Sequence, residues 1–510
     1  MPRFAAIDIG SNAMRLRVVE VSHPDEINSF REVESRRAAV RLGMDAFSKR
    51  ELSPDAIRAA CVALRDFRKV MEDTGVVAYR ATATSAVRET RNADLLVERA
   101  RREADILLEV IEGVEEARIL QVAVSRKMPV HDSVAWLIDV GGGSTELTRL
   151  VAGNATYSVS LPLGTVRLLG TFLGGTSAID AHHHTLLLEA IDRTLSEVPA
   201  REWAVAKDAA IATGGNVDTL AALIPSAQKV LGSRAIDVGA LRSLIPKLCQ
   251  MTTEERRTTF GLRPDRADTL VPACCIFLRI AERLGLNSIA APGVGLKEGL
   301  LLELVERHFH LWDDDAQDQV SIDACIALGR RFGFDEEHAR AVEALALQFF
   351  DDTARLHDLG PRDRLLLRAS AWLHDVGDRI RYEGHHKHSQ YIIEHSDVMG
   401  LSRGERSVVA QVARYHRKGD PNGEHPGLKE LSREDRSRVR KLTALLRVAD
   451  ALDKEHLGRV GSMRALAHDT RRIVELRLTG TADRTLEEWA LIEKSKLFEE
   501  TFGYKIVVAK

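Results

Sequence analysis

Ala6-Ile7-Asp8-Ile9-Gly10-Ser11-Asn12 and, further along the chain, Leu137-Ile138-Asp139-Val140-Gly141-Gly142-Gly143-Ser144-Thr145-Glu146 are two copies of one pattern. Each ends an apolar run in Asp-x-Gly and then offers small polar residues. A buried strand that ends in a carboxylate and turns through glycine presents backbone N–H groups to an anion, while the Asp stays close enough to hold a cation. Two such loops, each opening its own α/β half, predict two lobes that close on one phosphate chain.

The flanking sequence supports this reading. Residues 4–21 read as strand, turn, strand, because Met14, Leu16 and Val18 alternate with Arg15 and Arg17. Residues 53–71 have helical spacing, with Ser53 as N-cap and Pro54 at the first helical position. A strand over 76–81, a helix through Leu95, Leu96 and Ala100, a strand over 106–111 and a helix over 114–124 complete an α/β domain spanning 1–130. The theme repeats with a strand over 133–139, its hairpin partner over 146–150, a helix over 179–197, a strand over 209–212 leading into Thr213-Gly214-Gly215-Asn216, and a strand near 288–291. These pieces make a second domain over 131–305. Helical spacing then dominates, and ten of the eighteen histidines fall between His338 and His456, which predicts an all-helical domain over 306–456. Strand-like stretches at 472–478 and 505–508 around a helical 486–502 predict a small α+β unit over 457–510.

At 510 residues, 45% hydrophobic and 29% charged, the chain has a globular composition and is too long for one core. No apolar run approaches the roughly 18 residues that span a bilayer, and Asp8 follows the start too soon for a signal peptide, so a cytoplasmic protein without membrane partners is expected. Five cysteines, Cys61, Cys249, Cys274, Cys275 and Cys325, form no Cys-x-x-Cys pair and suit a reducing compartment. A net charge of −3 gives no global field for nucleic acid, so no specific nucleic-acid partner is expected and a polyanion must be drawn by a local patch.

Hydrolysis of a phosphoanhydride needs charge neutralisation, an in-line water and a group to orient or deprotonate it. Backbone N–H groups of Gly10, Ser11 and Asn12, and of Gly141, Gly142, Gly143, Ser144 and Thr145, could cradle successive phosphates. Asp8, Asp139 and Glu146 are placed to hold Mg²⁺ (or Mn²⁺), directly or through water, or else to cap turns. In Glu112-Gly113-Val114-Glu115-Glu116-Ala117-Arg118 the first-turn carboxylates supply either a base or simple compensation of the helix dipole.

Five motifs in order, Asp8–Asn12, Ala83-Thr84-Ser85-Ala86-Val87-Arg88, Glu115–Arg118, Asp139–Glu146 and Gly164-Thr165-Val166-Arg167-Leu168, resemble the exopolyphosphatase and guanosine pentaphosphate phosphatase family over essentially the whole chain. The resemblance implies two ribonuclease-H-like lobes of the actin, Hsp70 and sugar-kinase superfamily. It implies Glu116 as general base, Asp139 and Glu146 on Mg²⁺, Ser11, Asn12 and residues 141–145 on the phosphates, and Arg88 and Arg167 as added positive charge. Thr213–Asn216 occupies the place where superfamily kinases bind adenosine, and is expected here to be a structural turn. Glu112 stands where the family commonly has a small hydroxyl residue, and Ala13 where a serine is common.

In the helical region the order His338, His374-Asp375, Asp450 resembles the HD phosphohydrolase superfamily, with His388 and His416 where two-metal members place extra ligands. Such a site would take a second divalent metal, with Mn²⁺, Fe²⁺ or Zn²⁺ suited to mixed imidazole and carboxylate donors. The alternative is a scaffold that pairs two copies. Arg379, Arg381, Lys387, Arg414, Arg417, Lys418 and the arginines from 433 to 447 make solvated helix faces or a track for a polyanion.

The leading expectation is an exopolyphosphatase releasing orthophosphate from the end of inorganic polyphosphate. The alternative is a guanosine pentaphosphate (pppGpp) 5′-phosphohydrolase using the same site. A sugar-kinase-like phosphotransferase, a phosphate or alarmone sensor and an HD-type phosphodiesterase rank behind these. A homodimer is the expected assembly.

Overall fold

β1 (Arg3–Ile9) is buried along almost its whole length, and it organises the first sheet of the computed structural model. It pairs antiparallel with β2 (Met14–Val21), which pairs antiparallel with β3 (Phe30–Ala38). On its other side it runs parallel to β4 (Val76–Ala83), and β4 runs parallel to β5 (Leu108–Val110). The second sheet repeats this arrangement. β6 (Val134–Val140), β7 (Thr145–Val151) and β8 (Asn154–Leu161) are successive antiparallel neighbours, while β9 (Ala209–Thr213) and β11 (Ser288–Ala290) extend β6 in parallel. The orders β3-β2-β1-β4-β5 and β8-β7-β6-β9-β11 correspond strand for strand, and β10 (Ala235–Asp237) adds an antiparallel edge to the second sheet.

The structure describes residues 1–24, 26–173, 178–204, 207–311, 314–381, 383–417, 419–421, 425–480 and 483–509. Lys418, named above in the basic cluster, lies outside them. The chain divides into two units, 1–313 and 314–510. Among the described residues no helix is long and apolar enough to cross a membrane.

In the first unit the helix Pro54–Asp73 starts where its sequence predicts, with the Ser53 hydroxyl accepting from the Ala56 N–H at 3.2 Å and Pro54 at its first position. Its buried face packs Leu64 and Phe67 on Ile7 and Leu16 of the first sheet. The second sheet buries Trp136 and Ile138 against Leu241, Ile245 and Phe277 of the helices Val238–Gln250 and Leu270–Leu284. After β11 the chain returns to the first lobe. The helix Leu296–His308 sets Leu300, Leu301 and Val305 against Phe4, Ala6 and Ile119.

Glycine is needed where two loops of the second lobe approach one another. A Cβ on Gly164 would fall 2.3 Å from the Gly142 carbonyl oxygen and from the Gly143 carbonyl carbon, both backbone atoms. The turn after β8 therefore lies directly against the second glycine loop.

The second unit is built on the helices Glu336–Asp352, Pro361–Leu373, Arg403–Tyr415 and Arg433–Ala451. The strands β12 (Val460–His468), β13 (Ile473–Gly480) and β14 (Lys505–Val508) form one sheet in that order, antiparallel then parallel. Val474, Leu476 and Ile506 share a single core with Phe349, Leu366 and Leu446 of the helices. The region read as one helix over 486–502 is two, Thr485–Lys494 and Lys496–Phe502.

Replacing Gly164 by Ala is expected to destabilise the first unit by about 1–3 kcal/mol, the usual cost of forcing extra volume into close packing. A denaturant melt of Gly164→Ala indistinguishable from the parent would contradict this close approach.

Candidate active site between two glycine loops

The two loops fold into the same turn. Gly10 donates its N–H to the Ala13 carbonyl at 3.2 Å, and Gly141 donates to the Ser144 carbonyl at 3.0 Å. Each glycine closes its own turn, which sets Ser11 and Asn12, and Gly142 and Ser144, at the wall of a cavity of about 400 Å³. The Ser11 and Ser85 hydroxyls lie 3.2 Å apart across the first loop.

Acidic side chains from both lobes meet in this cavity. Ligand oxygens of Glu116, Asp139 and Glu146 lie within 4.8 Å of one another, and all three residues are buried. Asp139 and Glu146 are cross-strand partners on β6 and β7, so the pleat aims both carboxylates the same way. Glu116 comes from the first turn of the helix Gly113–Lys127. That helix starts tight against β8, since a Cβ on Gly113 would sit 2.3 Å from the Ser160 Oγ. Ser160 in turn donates to Glu146 Oε1 at 2.8 Å, and Thr213 donates to Asp139 Oδ1 at 2.6 Å. Asp8 lines the same cavity and pairs with Arg15 at 3.3 Å.

Burial first, then the charges of Glu146 and Asp139, pushes the Glu116 carboxyl well above the ordinary glutamate range. Burial also lifts Glu146 to about 7 and Asp139 to about 6, against the lowering hydrogen bonds from Ser160 and Thr213. The Oε2 atoms of Glu116 and Glu146 are buried without a hydrogen-bond partner among the described residues. An all-oxygen set with two orphaned oxygens suits a hard divalent cation.

The remaining sequence-derived residues divide. Arg88 donates to the Ile111 carbonyl at 2.7 Å, and its charge opposes the upward shift of Glu116 and Glu146. Thr145 is a fully buried strand residue bonded to the Leu163 carbonyl. A Cβ on Gly143 would meet Phe47 and Ser85, and its carbonyl accepts from Arg167 Nε at 2.8 Å. Arg167 also pairs with Glu89 at 2.7 Å and stacks over Phe47 at 4.2 Å. It therefore bridges the lobes, with its guanidinium already engaged.

Arginines the sequence reading did not assign here line the same cavity: Arg15, Arg36, Arg37, Arg263 and Arg266. Arg266 packs on Gly215, donates to the Asn216 side-chain Oδ1, and is pushed down to about 10 by burial and by Arg15, Arg263 and Arg37. Thr213–Asn216 is thus the step from β9 into the helix Gly215–Leu223, covered by an arginine. Only the alternation of Arg15 along β2 signalled any of these residues. The lobes are tied further by Asn12 to the Asp265 carbonyl at 3.0 Å, by Arg37 to Asp265 at 2.5 Å and by Arg41 to Asp268 at 2.6 Å.

The second unit holds a separate cluster. His338, His374, Asp375 and Asp450 converge, with the Nε2 atoms of His338 and His374 3.2 Å apart and Asp450 Oδ1 3.7 and 4.0 Å from them. His416 joins as expected, but its companion is His385, not His388. Both Nε2 atoms lie 3.2 Å from Asp375 Oδ1. Gly377 packs directly under the start of the helix His385–Glu394, where an added Cβ would fall 2.4 Å from the Ser389 N and 2.6 Å from the His385 carbonyl oxygen. The basic residues of this unit are largely engaged locally, as with Arg438 on Asp363, Arg381 on Glu383 and Arg379 on the Gly333 carbonyl.

Residues 19–308 match the Ppx/GppA phosphatase family, and residues 321–500 match Ppx/GppA phosphatase, domain III. The chain is 25% identical over 448 residues to a guanosine-5'-triphosphate,3'-diphosphate pyrophosphatase of Photobacterium profundum, covering 87% of this chain and 86% of that one. It is 29% identical over 311 residues to exopolyphosphatase 1 of Mycobacterium leprae, covering 60% of this chain and 90% of that one. Among solved structures it is similar to a Ppx/GppA family member from Aquifex aeolicus, with a TM-score of 0.50 and 26% identity over 60% of this chain and 98% of that one. It shares the fold of an exopolyphosphatase from Cytophaga hutchinsonii, with a TM-score of 0.54 and 24% identity over the same shares.

The raised acids make metal binding pH-dependent in a fixed direction. Carboxyls whose folded pKa lies above the unfolded value favour the fold below about pH 4, and that contribution is lost as pH rises through the folded values near 6 and 7. A divalent cation reverses the penalty by pairing with the ionised form. The increase in melting temperature on adding Mg²⁺ should therefore grow from pH 5 to pH 8, and the double variant Asp139→Asn, Glu146→Gln should lose that growth. An increase independent of pH in the parent would count against this trio as the cation site.

Proposed function

The chain belongs to the Ppx/GppA phosphatase family, and from that premise we propose that the cavity between its glycine loops hydrolyses terminal phosphoanhydride bonds of inorganic polyphosphate, releasing orthophosphate. It is a phosphoanhydride hydrolase, as its relatives are named. The observation that carries the reading is the buried carboxylate trio at a cavity lined by arginines and by a glycine loop from each lobe.

In this reading Ser11, Asn12, Gly142 and Ser144 hold the terminal phosphates, and Arg15, Arg37, Arg263 and Arg266 neutralise those further along the chain. Glu116, as carboxylate, accepts a proton from water while the water oxygen bonds to the terminal phosphorus. The bridging P–O bond breaks, and the shortened chain leaves with that bridging oxygen as its new end. Enzymes of this family generally use divalent metals. Mg²⁺ or Mn²⁺ held by Asp139 and Glu146, with Asp8 beside them, would neutralise charge on the terminal phosphoryl oxygens. Arg88 lowers the cost of keeping Glu116 ionised among these acids.

The same site accommodates guanosine pentaphosphate, whose 5′ end is also a terminal phosphoanhydride. The Photobacterium relative, which matches both units of this chain, favours this second reading. In the second unit we assign one divalent ion to His338, His374, Asp375 and Asp450 in an HD-like arrangement. The free thiols, all five buried, suit a reducing cytoplasm. Leu486, Trp489 and Ile492 stand exposed along one helix and support pairing of two copies.

Glu116→Gln should lower phosphate release by about 10²–10⁴-fold and leave substrate binding in place. Release from long polyphosphate, tripolyphosphate and guanosine pentaphosphate is compared with this variant as the blank. Preference for long polyphosphate supports the main reading and preference for guanosine pentaphosphate the second, whereas near-parental activity of Glu116→Gln would remove both.

A further inference from the structure

The helix that carries Glu116, Gly113–Lys127, begins weakly. A glycine takes its first position, and Glu112 before it makes no side-chain capping bond among the described residues. The open N–H groups of such a turn leave it free to fray. Its hold comes from a neighbouring pair on the same helix. Arg118 grips Glu115 with two parallel bonds, Nε to Oε2 and Nη2 to Oε1, each 2.8 Å. Glu115 and Arg118 share one helix face, and neither lines the cavity, whereas Glu116 does.

Glu303 anchors that face. It lies on the helix Leu296–His308 and is 1% exposed. Its Oε1 is 2.6 Å from Arg118 Nη2 and its Oε2 is 2.5 Å from Arg80 Nη1, so one carboxylate joins the Glu116 helix to β4. Arg118 Nη2, with two N–H bonds to give, thus faces both Glu115 and Glu303. Arg80 reaches Glu109 of β5 at 3.0 Å as well. The two helices also meet at their backbones, since a Cβ on Gly299 would fall 2.3 Å from the Ile119 carbonyl oxygen. Oppositely charged groups buried together cannot part without leaving an ion unpaired out of water, and this makes the join rigid. Nearer its far end the same helix makes a second pair, Glu306 with Arg126 at 2.5 Å, away from the first turn.

We propose that Glu303 is a positioning residue for the hydrolysis: acting through Arg118 and Glu115, it fixes the first turn of the helix and so the place of the Glu116 carboxylate beside Asp139 and Glu146. This rests on Glu116 acting as the base in the reading above. A base must stand within hydrogen-bond reach of the water it deprotonates, so a small drift of the turn costs rate. The groups that hold the phosphates, Ser11, Asn12, Gly142 and Ser144, sit on the glycine loops, to which Glu303 makes no bond among the described residues. Loss of Glu303 therefore acts on the chemical step and spares substrate binding.

Glu303→Gln and Glu306→Gln are compared in the full chain, with phosphate release from long polyphosphate measured well below either melting temperature and Glu116→Gln as the blank. Glu303→Gln should lower kcat by about 10–10²-fold, the scale of a small misplacement at a catalytic group, and leave KM unaltered. Glu306→Gln, which breaks a pair on the same helix away from the first turn, should leave both constants unaltered. Where Glu303→Gln does not fold, Arg118→Lys keeps the charge and loses the two-pronged grip, and the same split is expected of it. A crystal structure of the variant should show the Glu116 carboxylate moved beyond the 4.8 Å within which it now meets Asp139 and Glu146. Parental kcat in Glu303→Gln, an equal loss in Glu306→Gln, or a Glu116 left in place overturns the positioning role. Phosphate release that survives in Glu116→Gln overturns Glu116 as base, and with it the role in hydrolysis, while a displaced Glu116 in the same series still upholds the join.

Discussion

Three carboxylates taken out of water within 4.8 Å of one another are the constraint around which the first unit is arranged. Burying even one ionised acid without a partner costs several kcal/mol, and mutual repulsion adds to that. Each neighbour of the trio reduces this cost or fixes its geometry. Ser160 and Thr213 donate to two of the acids, Arg88 supplies positive charge, and Gly113 lets the helix of Glu116 come close enough to reach the others. The two orphaned oxygens are what the protein leaves unpaid, and they account for why a cation belongs there.

The duplicated Asp-x-Gly signal revealed the pairing of lobes because it depends on local chemistry: a buried strand, a carboxylate and a turn. The strands central to each sheet were legible for the same reason, being apolar on both faces. β3 was not anticipated, and its residues, Phe30-Arg31-Glu32-Val33-Glu34-Ser35-Arg36-Arg37-Ala38, show why. At a sheet edge, half exposed, a strand can be charged at most positions and carry no periodic hydrophobic signal. The arginine wall stayed hidden because Arg37, Arg263 and Arg266 come together only through the crossing of lobes, which no sequence window contains. Arg167 shows the opposite failure. Its motif was found, yet Glu89, Phe47 and the Gly143 carbonyl already occupy it.

In the second unit the order His, His-Asp, Asp identified the cluster but not its full membership. His388 and His385 are three residues apart on one helix, so they share a face and sequence alone does not choose between them. In the fold it is His385 whose Nε2 reaches Asp375, at 3.2 Å.

Asp265 is a single carboxylate that serves both lobes, bound by Asn12 and Arg37 of the first and lying 3.7 Å from Arg263 of the second. Arg41–Asp268 and Arg167–Glu89 fasten neighbouring edges. The cavity is thus bordered by polar fasteners, and such contacts weaken as counterions screen them. Of the fastening guanidiniums Arg37 also lines the cavity, so an anion entering it meets a group that Asp265 already holds. One charge thus serves both the join between the lobes and the wall of the site.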